Sequence, residues 1–367
     1  MSERRLRVMI LFGGRSAEHD VSRMTAVSVA RALDPARYEV VPVGITTEGE
    51  WLLANGAREL LERARDALPS AFAVEGERVV PPADPARAEV VPCDGGAPLA
   101  VDVVLPLLHG PYGEDGTVQG LLELAGLPYV GSGVLGSAVG MDKIMTKRAF
   151  ASAGIPSARF LSLRDGHDAA AFCDDVETVL GYPCFVKPSN MGSSVGVSKA
   201  HDRGELEAAV ALAFEYDEWI LAEEAVPGRE IEVAVLGDDP PEASLPGEVV
   251  PGAEFYDYAD KYEDGVAKLL APAPLSDDET AEVRSLAIRA FEACRCEAMA
   301  RVDFFYDEGG RGFVCNELNT IPGFTPISMY PKLWEVTGLP YGELLDRLVE
   351  MALQRHGRRA TRAGRRR

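Results

Sequence analysis

Through the first third of the chain, short apolar runs alternate with amphipathic stretches, a pattern that few folds can satisfy. Val8 to Phe12, Val40 to Ile45 and Val101 to Leu108 read as strands, while Val21 to Leu33 and Thr117 to Ala125 repeat apolar residues at helical spacing. Parallel strands need a long crossover, and a helix is the usual one, so this alternation predicts a parallel sheet covered by helices. Ligands of such sheets bind where loops leave the carboxyl ends of the strands. Two loops qualify, because Gly13-Gly-Arg-Ser-Ala-Glu-His-Asp20 and His109-Gly-Pro-Tyr-Gly-Glu-Asp-Gly116 each follow a strand directly.

From about Met141 the texture changes. Lys143 to Ala153 reads as a helix, and Cys184-Phe-Val-Lys-Pro-Ser-Asn-Met-Gly-Ser-Ser-Val-Gly-Val-Ser198 as strand, glycine-serine loop, strand, which suits a small second domain. A third region begins near Arg229, with strands at Glu230 to Leu236 and Glu248 to Val250. A long helix follows from about Asp277, whose start, Ser276-Asp-Asp-Glu279, has the form of a capping box. No internal repeat is evident.

The 367 residues are 47% apolar with mixed charge, which is globular rather than disordered and long enough for two or three domains. No apolar run approaches the ~20 residues of a membrane span, and the amino terminus lacks a signal-peptide core, so a cytoplasmic protein is expected. The six cysteines, Cys93, Cys173, Cys184, Cys294, Cys296 and Cys315, show no metal-site spacing and read as free thiols. A net charge of −21 disfavours binding to nucleic acid. Seven arginines crowd the segment from Arg355 to Arg367, and with so few apolar neighbours it reads as a disordered, solvated tail.

Ala300 to Tyr306 and Phe313 to Asn316 are strand-like runs joined by Asp307-Glu-Gly-Gly-Arg-Gly312, a loop with the glycine content of a hairpin. Side chains alternate along a strand, so Arg301 and Asp303 share one face, and a turn near Gly310 sets Asp303 opposite Glu317. Asp303, Glu317 and Asn319 then converge as hard oxygen donors of the kind Mg²⁺ prefers, beside a cation, Arg301, that suits an oxyanion or polyphosphate. A hairpin with a solvated polar face is the plainer alternative. The loop Asn190-Met-Gly-Ser-Ser-Val-Gly196 offers backbone N–H groups and hydroxyls, with Lys187 just before it, as phosphate-cradling loops do. It lacks the GxxxxGK[ST] spacing of a P-loop, and taken alone it is equally a plain hairpin loop. Glu18 and His109, taken singly, read as polar loop residues. Phe255-Tyr-Asp-Tyr-Ala-Asp-Lys-Tyr262 is either an amphipathic surface segment or a mobile lid.

Together these stretches resemble the D-alanine:D-alanine ligase family of ATP-grasp enzymes from about Val8 to Leu353. The marks, in the family's order, are GGRSAEHDVS, HGPYGEDGTVQG, LPYVGSGVLGSAVGMDK, VKPSNMGSSVGVSK, FYDYADKY, ARVDFF and NELNTIPGFT. The resemblance implies an α/β protein, α+β in its C-terminal part, of three-domain ATP-grasp architecture. Its divisions are a doubly wound parallel-sheet domain (1–137), a central subdomain (138–227), a C-terminal subdomain with lid and metal site (228–354), and the basic tail (355–367).

The implied reaction joins two D-alanines through an acyl phosphate made from ATP, for peptidoglycan precursors. It implies two Mg²⁺ or Mn²⁺ ions on Asp303, Glu317 and Asn319, and no nucleic-acid or membrane partner; dimers are usual in the family. ATP falls to Lys143, Lys187, Ser194, Lys261 and Phe305, with Glu223, Glu224 and Val226 at the adenine hinge and Glu230 at the ribose. Glu18 takes the first substrate's ammonium with Ser193 and Tyr262 as its partners, and His109 joins the substrate site. Arg301 and the Gly323 N–H serve the tetrahedral oxyanion, while Ser328 and the Met329 backbone hold the second carboxylate. Ala225 and Met191 depart from familiar versions of the hinge and phosphate loop. A D-alanine:D-lactate or D-alanine:D-serine ligase is the nearest alternative, against which DKY with Tyr262 favours D-alanine. A non-catalytic nucleotide-binding module would be expected to lack the charged residues kept here. A nicotinamide dehydrogenase would want GxGxxG after the first strand, which Phe12 to Glu18 does not have.

Overall fold

The computed structural model describes residues 4–54, 71–81, 85, 87–250 and 268–362; Tyr256, Tyr258, Lys261 and Tyr262 lie outside them. Strands β1 (Leu6–Gly13), β2 (Tyr38–Ile45), β3 (Trp51–Ala54), β4 (Gly76–Val80), β5 (Glu89–Pro92), β6 (Leu99–Ala100) and β7 (Val103–Pro106) form one sheet in the order β6-β5-β4-β3-β2-β1-β7. β1 is parallel to β2 and to β7, with α1 (His19–Ala32) as the crossover between the first two. The other pairs are antiparallel, so the parallel part is confined to β2, β1 and β7. The link from β2 to β3 explains the change of direction. It is only Thr46 to Glu50, closed by a 2.9 Å bond from Thr46 N to Glu50 O, and a link that short can only reverse the chain.

Helices α2 (Thr117–Leu124), α3 (Val134–Met141) and α4 (Lys143–Ser152) lead to a second, antiparallel sheet of β8 (Phe160–Arg164), β9 (Cys184–Pro188), β10 (Ser198–Ala200) and β11 (Trp219–Glu224), in the order β10-β9-β11-β8. It packs on α5 (Ala169–Val179) and α6 (Arg203–Phe214) through Phe172, Val176, Leu206 and Val210.

The third sheet holds β12 (Arg229–Gly237), β13 (Glu242–Ala243), β14 (Gly247–Val250), β15 (Lys268–Leu270), β16 (Ala298–Asp307) and β17 (Gly312–Asn319), all antiparallel. Alternate residues of β12 enter different cores. Ile231, Val233 and Val235 pack under α7 (Asp277–Ala293), while Ala234 and Leu236 meet Tyr330, Leu333 and Trp334 of α8 (Met329–Thr337) and Leu344 and Leu348 of α9 (Tyr341–Ala360). The second of these cores also contains Val8, Ile10 and Phe12 of β1. Apolar burial at roughly 25 cal/mol per Å² therefore binds the first sheet and the third into one body. The capping box is present at α7, where Glu279 Oε2 accepts from Ser276 N at 2.7 Å and Ser276 Oγ accepts from Glu279 N at 3.3 Å.

The expectation of a solvated tail from Arg355 fails for its first part. α9 continues to Ala360, and Arg355 is buried, donating to Gly131 O and Tyr129 O at 2.6 Å each. Arg359 bonds Glu123 at 2.7 Å and Glu297 at 2.7 and 2.8 Å. Composition suggested solvation, but Ala352, Arg355 and Arg359 recur at i, i+3 and i+7, one face of a helix that carbonyls and acids of two other regions complete. Five of the cysteines are buried free thiols and Cys93 is an exposed one.

Candidate active site

The hairpin of β16 and β17 has the register its sequence predicts, with Arg301 opposite Asn319 and Asp303 opposite Glu317. A bulge between Asp303 and Phe304 then shifts the pairing, which is a common device beside functional sites. Val302 and Phe304 face the core under α7, leaving Arg301, Asp303 and Phe305 half-buried on the opposite face. Arg301 grips Asp303 with two bonds of 2.7 Å and lies 3.2 Å from Glu232 Oε2 on the neighbouring strand. Burial disfavours that charge, yet the carboxylates of Asp303 and Glu232 outweigh it and hold the guanidinium well above its ordinary range.

The Asn319 amide nitrogen donates to Asp303 Oδ2 at 2.9 Å, which turns its carbonyl oxygen out as a further acceptor. Two carboxylates and one amide oxygen are the hard donor set a small divalent cation takes, with water and phosphate completing it. Among the described residues no three His, Cys, Asp or Glu side chains gather as metal ligands. Two carboxylates with one amide oxygen fit a site completed by substrate rather than an all-protein cage.

The glycine-serine loop approaches from the second sheet. Ser193 and Ser194 both have positive φ, 50° and 58°, which costs non-glycine residues roughly 1–3 kcal/mol each and concentrates at ligand sites. Asp217 accepts from Asn190 N at 2.7 Å, and Lys143 Nζ donates to Met191 O at 2.5 Å, so both the start of the loop and its middle are fixed. Burial pulls the Lys143 ammonium below its ordinary range and the Lys187 charge adds to this, against Glu317, Glu223 and Asp142. Glu18, which precedes α1, brings in the first loop. A β-carbon on Gly192 would lie 3.1 Å from Glu18 Oε2, and one on Gly110 would lie 3.3 Å away, so both loops close onto this carboxylate through the absence of a side chain.

The loop from His109 to Gly116 is tied to the turn after β17. Glu114 accepts from Gly110 N at 2.8 Å and from Ile321 N at 2.9 Å, while His109 Nδ1 meets Ile321 O at 3.0 Å. His109 is buried and its Nε2 has no hydrogen-bond partner among the described residues, which leaves it for a ligand. Burial and the nearby Glu18 charge push the Glu114 carboxyl up to about 8, against the two N–H groups and Arg301. Gly323, two residues on, admits Ser328, whose Oγ is 3.0 Å from the place a β-carbon would take. That hydroxyl accepts from Thr325 N at 3.1 Å. Ser328 leads into α8, whose first residue is Met329.

At the hinge, Glu223 is buried between Lys147 Nζ at 3.3 Å and Lys187 Nζ at 3.2 Å. Burial would raise its carboxyl, but the two ammonium groups prevail and hold it below its ordinary range. Glu224 is committed to Arg159 and Arg311, with bonds of 2.7 and 2.6 Å, and despite its burial it is brought down to about 2. Neither carboxylate is a loose hinge side chain. Val226 follows β11 half-buried, and Glu230 pairs across β12 with Phe305 of β16. The structure thus joins Arg301, Asp303, Glu317 and Asn319 on the hairpin, sets Lys143 near Glu317 and Lys187, and ties His109 and Glu114 to Ile321 with Glu18 and Arg301 near Glu114.

Sequence reasoning missed three ionic residues, the half-buried Glu114 and the buried Lys147 and Glu232. The first stands inside a quoted loop, the second one turn beyond Lys143, and the third two residues beyond Glu230, so each had a local pointer.

Comparison with known proteins matches two family models, "D-ala D-ala ligase N-terminus" over residues 7–132 and "D-ala D-ala ligase C-terminus" over residues 149–350. The D-alanine--D-alanine ligase of Geobacillus kaustophilus is 47% identical over 363 residues, covering 97% of this chain and 96% of that one. That of Thermoanaerobacter pseudethanolicus is 48% identical over 355 residues, covering 95% and 97%. Among solved structures, the D-alanine-D-alanine ligase from Coxiella burnetii superimposes with a TM-score of 0.83 at 36% identity, covering 97% of this chain and 96% of its own. VanG D-Ala:D-Ser ligase from Enterococcus faecalis gives 0.83 at 34%, covering 95% and 100%.

Proposed function

The chain belongs to the D-alanine:D-alanine ligase family, an ATP-dependent ligase joining two D-alanines, and from that premise we propose which of its residues carry the reaction. The observation that supports the assignment best is convergence. A serine loop with two left-handed residues and the Glu18 carboxylate meet where Gly110 and Gly192 leave room, and Lys143, which donates to Met191 of that loop, feels the charge of Glu317 on the hairpin.

A carboxylate oxygen of the first D-alanine attacks the γ-phosphorus of ATP, ADP leaves, and an acyl phosphate forms. Two anions must meet, so positioning and charge neutralisation supply most of the catalysis. Lys143 and Lys187 take the nucleotide phosphates with the amides of Ser193 and Ser194; the hinge from Glu223 through Glu224 to Val226 lies along the adenine, Glu230 at the ribose, and Phe305 lines the same face. Asp303, Glu317 and Asn319 are the residues that would hold Mg²⁺ or Mn²⁺, two ions in this reading, which when bound would screen the phosphate charge. Glu18 holds the first ammonium.

The amine of the second D-alanine, its ammonium already deprotonated, then attacks the acyl carbon; phosphate leaves with the electron pair of the carbon–oxygen bond, and the nitrogen gives up one proton to the departing phosphate. Negative charge develops on the carbonyl oxygen, where Arg301 and the Gly323 N–H stabilise it. Glu114 and His109 hold Ile321, and so fix the turn that carries Gly323. Ser328, the Met329 N–H and His109 complete the pocket for the second substrate. Lys261 and Tyr262 are assigned from their motif alone.

Among the described residues no helix is long and apolar enough to cross a membrane, and the reading carries a cytoplasmic homodimer. Phosphate release from ATP should require D-alanine and a divalent cation. Replacing the acceptor by D-lactate or D-serine should cut product formation sharply, and equal yields of depsipeptide and dipeptide would overturn the preference for D-alanine.

A further inference from the structure

Lys147 lies one helical turn beyond Lys143 on α4, is only 1% exposed, and has no hydrogen-bond partner among the described residues. Its ammonium stands 3.3 Å from Glu223 Oε1, with the Phe160 ring centroid at 6.0 Å. The other carboxylate oxygen accepts from Lys187 at 3.2 Å. One buried and one half-buried cation thus share one anion. Lys187 alone would neutralise Glu223, and burying a second ammonium carries a desolvation cost, so charge balance at Glu223 does not account for Lys147.

Its effect falls on Lys187. If Glu223 had Lys187 as its single counter-ion, an arriving polyphosphate would have to strip that lysine away and strand a buried carboxylate. With Lys147 in place, Glu223 keeps a partner when Lys187 turns outward. We propose that Lys147 is a positioning residue of the nucleotide site, holding Glu223 so that the Lys187 charge stays available to the phosphates. The inference rests on the reading of Lys187 as a phosphate ligand.

Titration of the full-length protein with MgADP in a calorimeter tests it. Lys147→Met is expected to weaken binding at least about tenfold, as pairs in one ionic network couple strongly. In the Glu223→Gln background, where no carboxylate competes for Lys187, the same substitution is expected to change affinity by less than about twofold. A purely structural lysine would give the same loss, or the same absence of loss, in both backgrounds, and either result overturns the proposal. The Glu223→Gln pair also removes the stranded charge, so the comparison survives poor folding of Lys147→Met alone: a tenfold loss within that pair overturns the proposal by itself. Lys187→Met separates the two readings. If it leaves MgADP affinity unchanged, the assignment of Lys187 falls and this inference with it. If it weakens binding while Lys147→Met does not, only the inference falls.

Discussion

Arg301 and Arg355 are both largely withdrawn from water, and they are held in opposite ways. Arg355, 4% exposed, donates at 2.6 Å to each of the main-chain carbonyls of Gly131 and Tyr129, with the Glu297 carboxylate farther off at 3.5 Å. Arg301, with 18% of its side chain exposed, is held by Asp303 and lies against Glu232, beside the further acid Glu317. Neutral carbonyls absorb a cation's hydrogen bonds without cancelling its charge at long range, so the first arrangement fastens two regions together. Packing acids around a cation at an opening creates instead a dense field of both signs, which is what a charged substrate and a metal can use. A buried arginine is thus read by what holds it.

The largest effect expected on turnover tests the acidic side of that contrast. Glu317→Gln keeps the shape and removes one charge from the cation platform, and kcat should fall about 10³-fold or more with the fold intact. Thermal unfolding within a degree or two of the parent, beside near-parental turnover at modest Mg²⁺, would remove Glu317 from the site. Next comes Arg301→Ala, expected to slow turnover by about 10²- to 10³-fold while MgATP affinity stays close to that of the parent, because the charge it meets develops in the transition state. A loss confined to the Michaelis constants would place Arg301 with the ground-state binders.

How far the sequence leads differs between these two regions for a physical reason. The pairing of Asp303 with Glu317 follows from strand alternation and a short loop, both local, and so it is readable from some twenty residues. The lysines and glycines of the loops are readable too, through their motifs. Glu114 is not, because the partner that fixes it, the Ile321 N–H, lies 207 positions away. Arg355 and Arg359 are hidden for the same reason: a basic helix end looks solvated until Tyr129, Gly131, Glu123 and Glu297 are folded against it. The antiparallel half of the first sheet was legible in principle, in the shortness of the Thr46 to Glu50 link.

Glu114 shares both characters, since it fastens two loops and also faces Glu18 and Arg301. Glu114→Gln keeps one acceptor of two, and a loss of activity of about tenfold is expected. Its sharper signature is pH. The folded carboxyl titrates near 8 against an ordinary 4.5, so the native state holds a proton that the unfolded chain releases between those values. The sign follows: its contribution to stability is full below about pH 4.5 and is lost as pH rises through about 8. Denaturation curves at pH 5, 6.5 and 8.5 should show the parent losing stability relative to the glutamine variant. Curves that stay parallel would show that Glu114 is ionised throughout.

The smallest effect on turnover should come from Arg355, and it completes the contrast. Arg355→Ala leaves two buried carbonyls short of a donor, each worth on the order of 1 kcal/mol or more, and opens space where α9 meets the first domain. Because those carbonyls sit on the segment from Tyr129 to Gly131, just ahead of α3, the substitution should loosen the docking of α9 without touching the hairpin. Roughly 2 kcal/mol of stability, a fall of several degrees in Tm, is expected. kcat of the folded fraction should stay within about twofold of the parent, since its partners Gly131, Tyr129 and Glu297 have no part in the proposed chemistry. Arg301→Ala should show the reverse ratio, a large loss of rate for a small loss of Tm. Were Arg355→Ala to slow turnover a hundredfold at a temperature where it is fully folded, the α9 contact would be part of the catalytic geometry, and the distinction between arginines held by carbonyls and by carboxylates would fail for this protein.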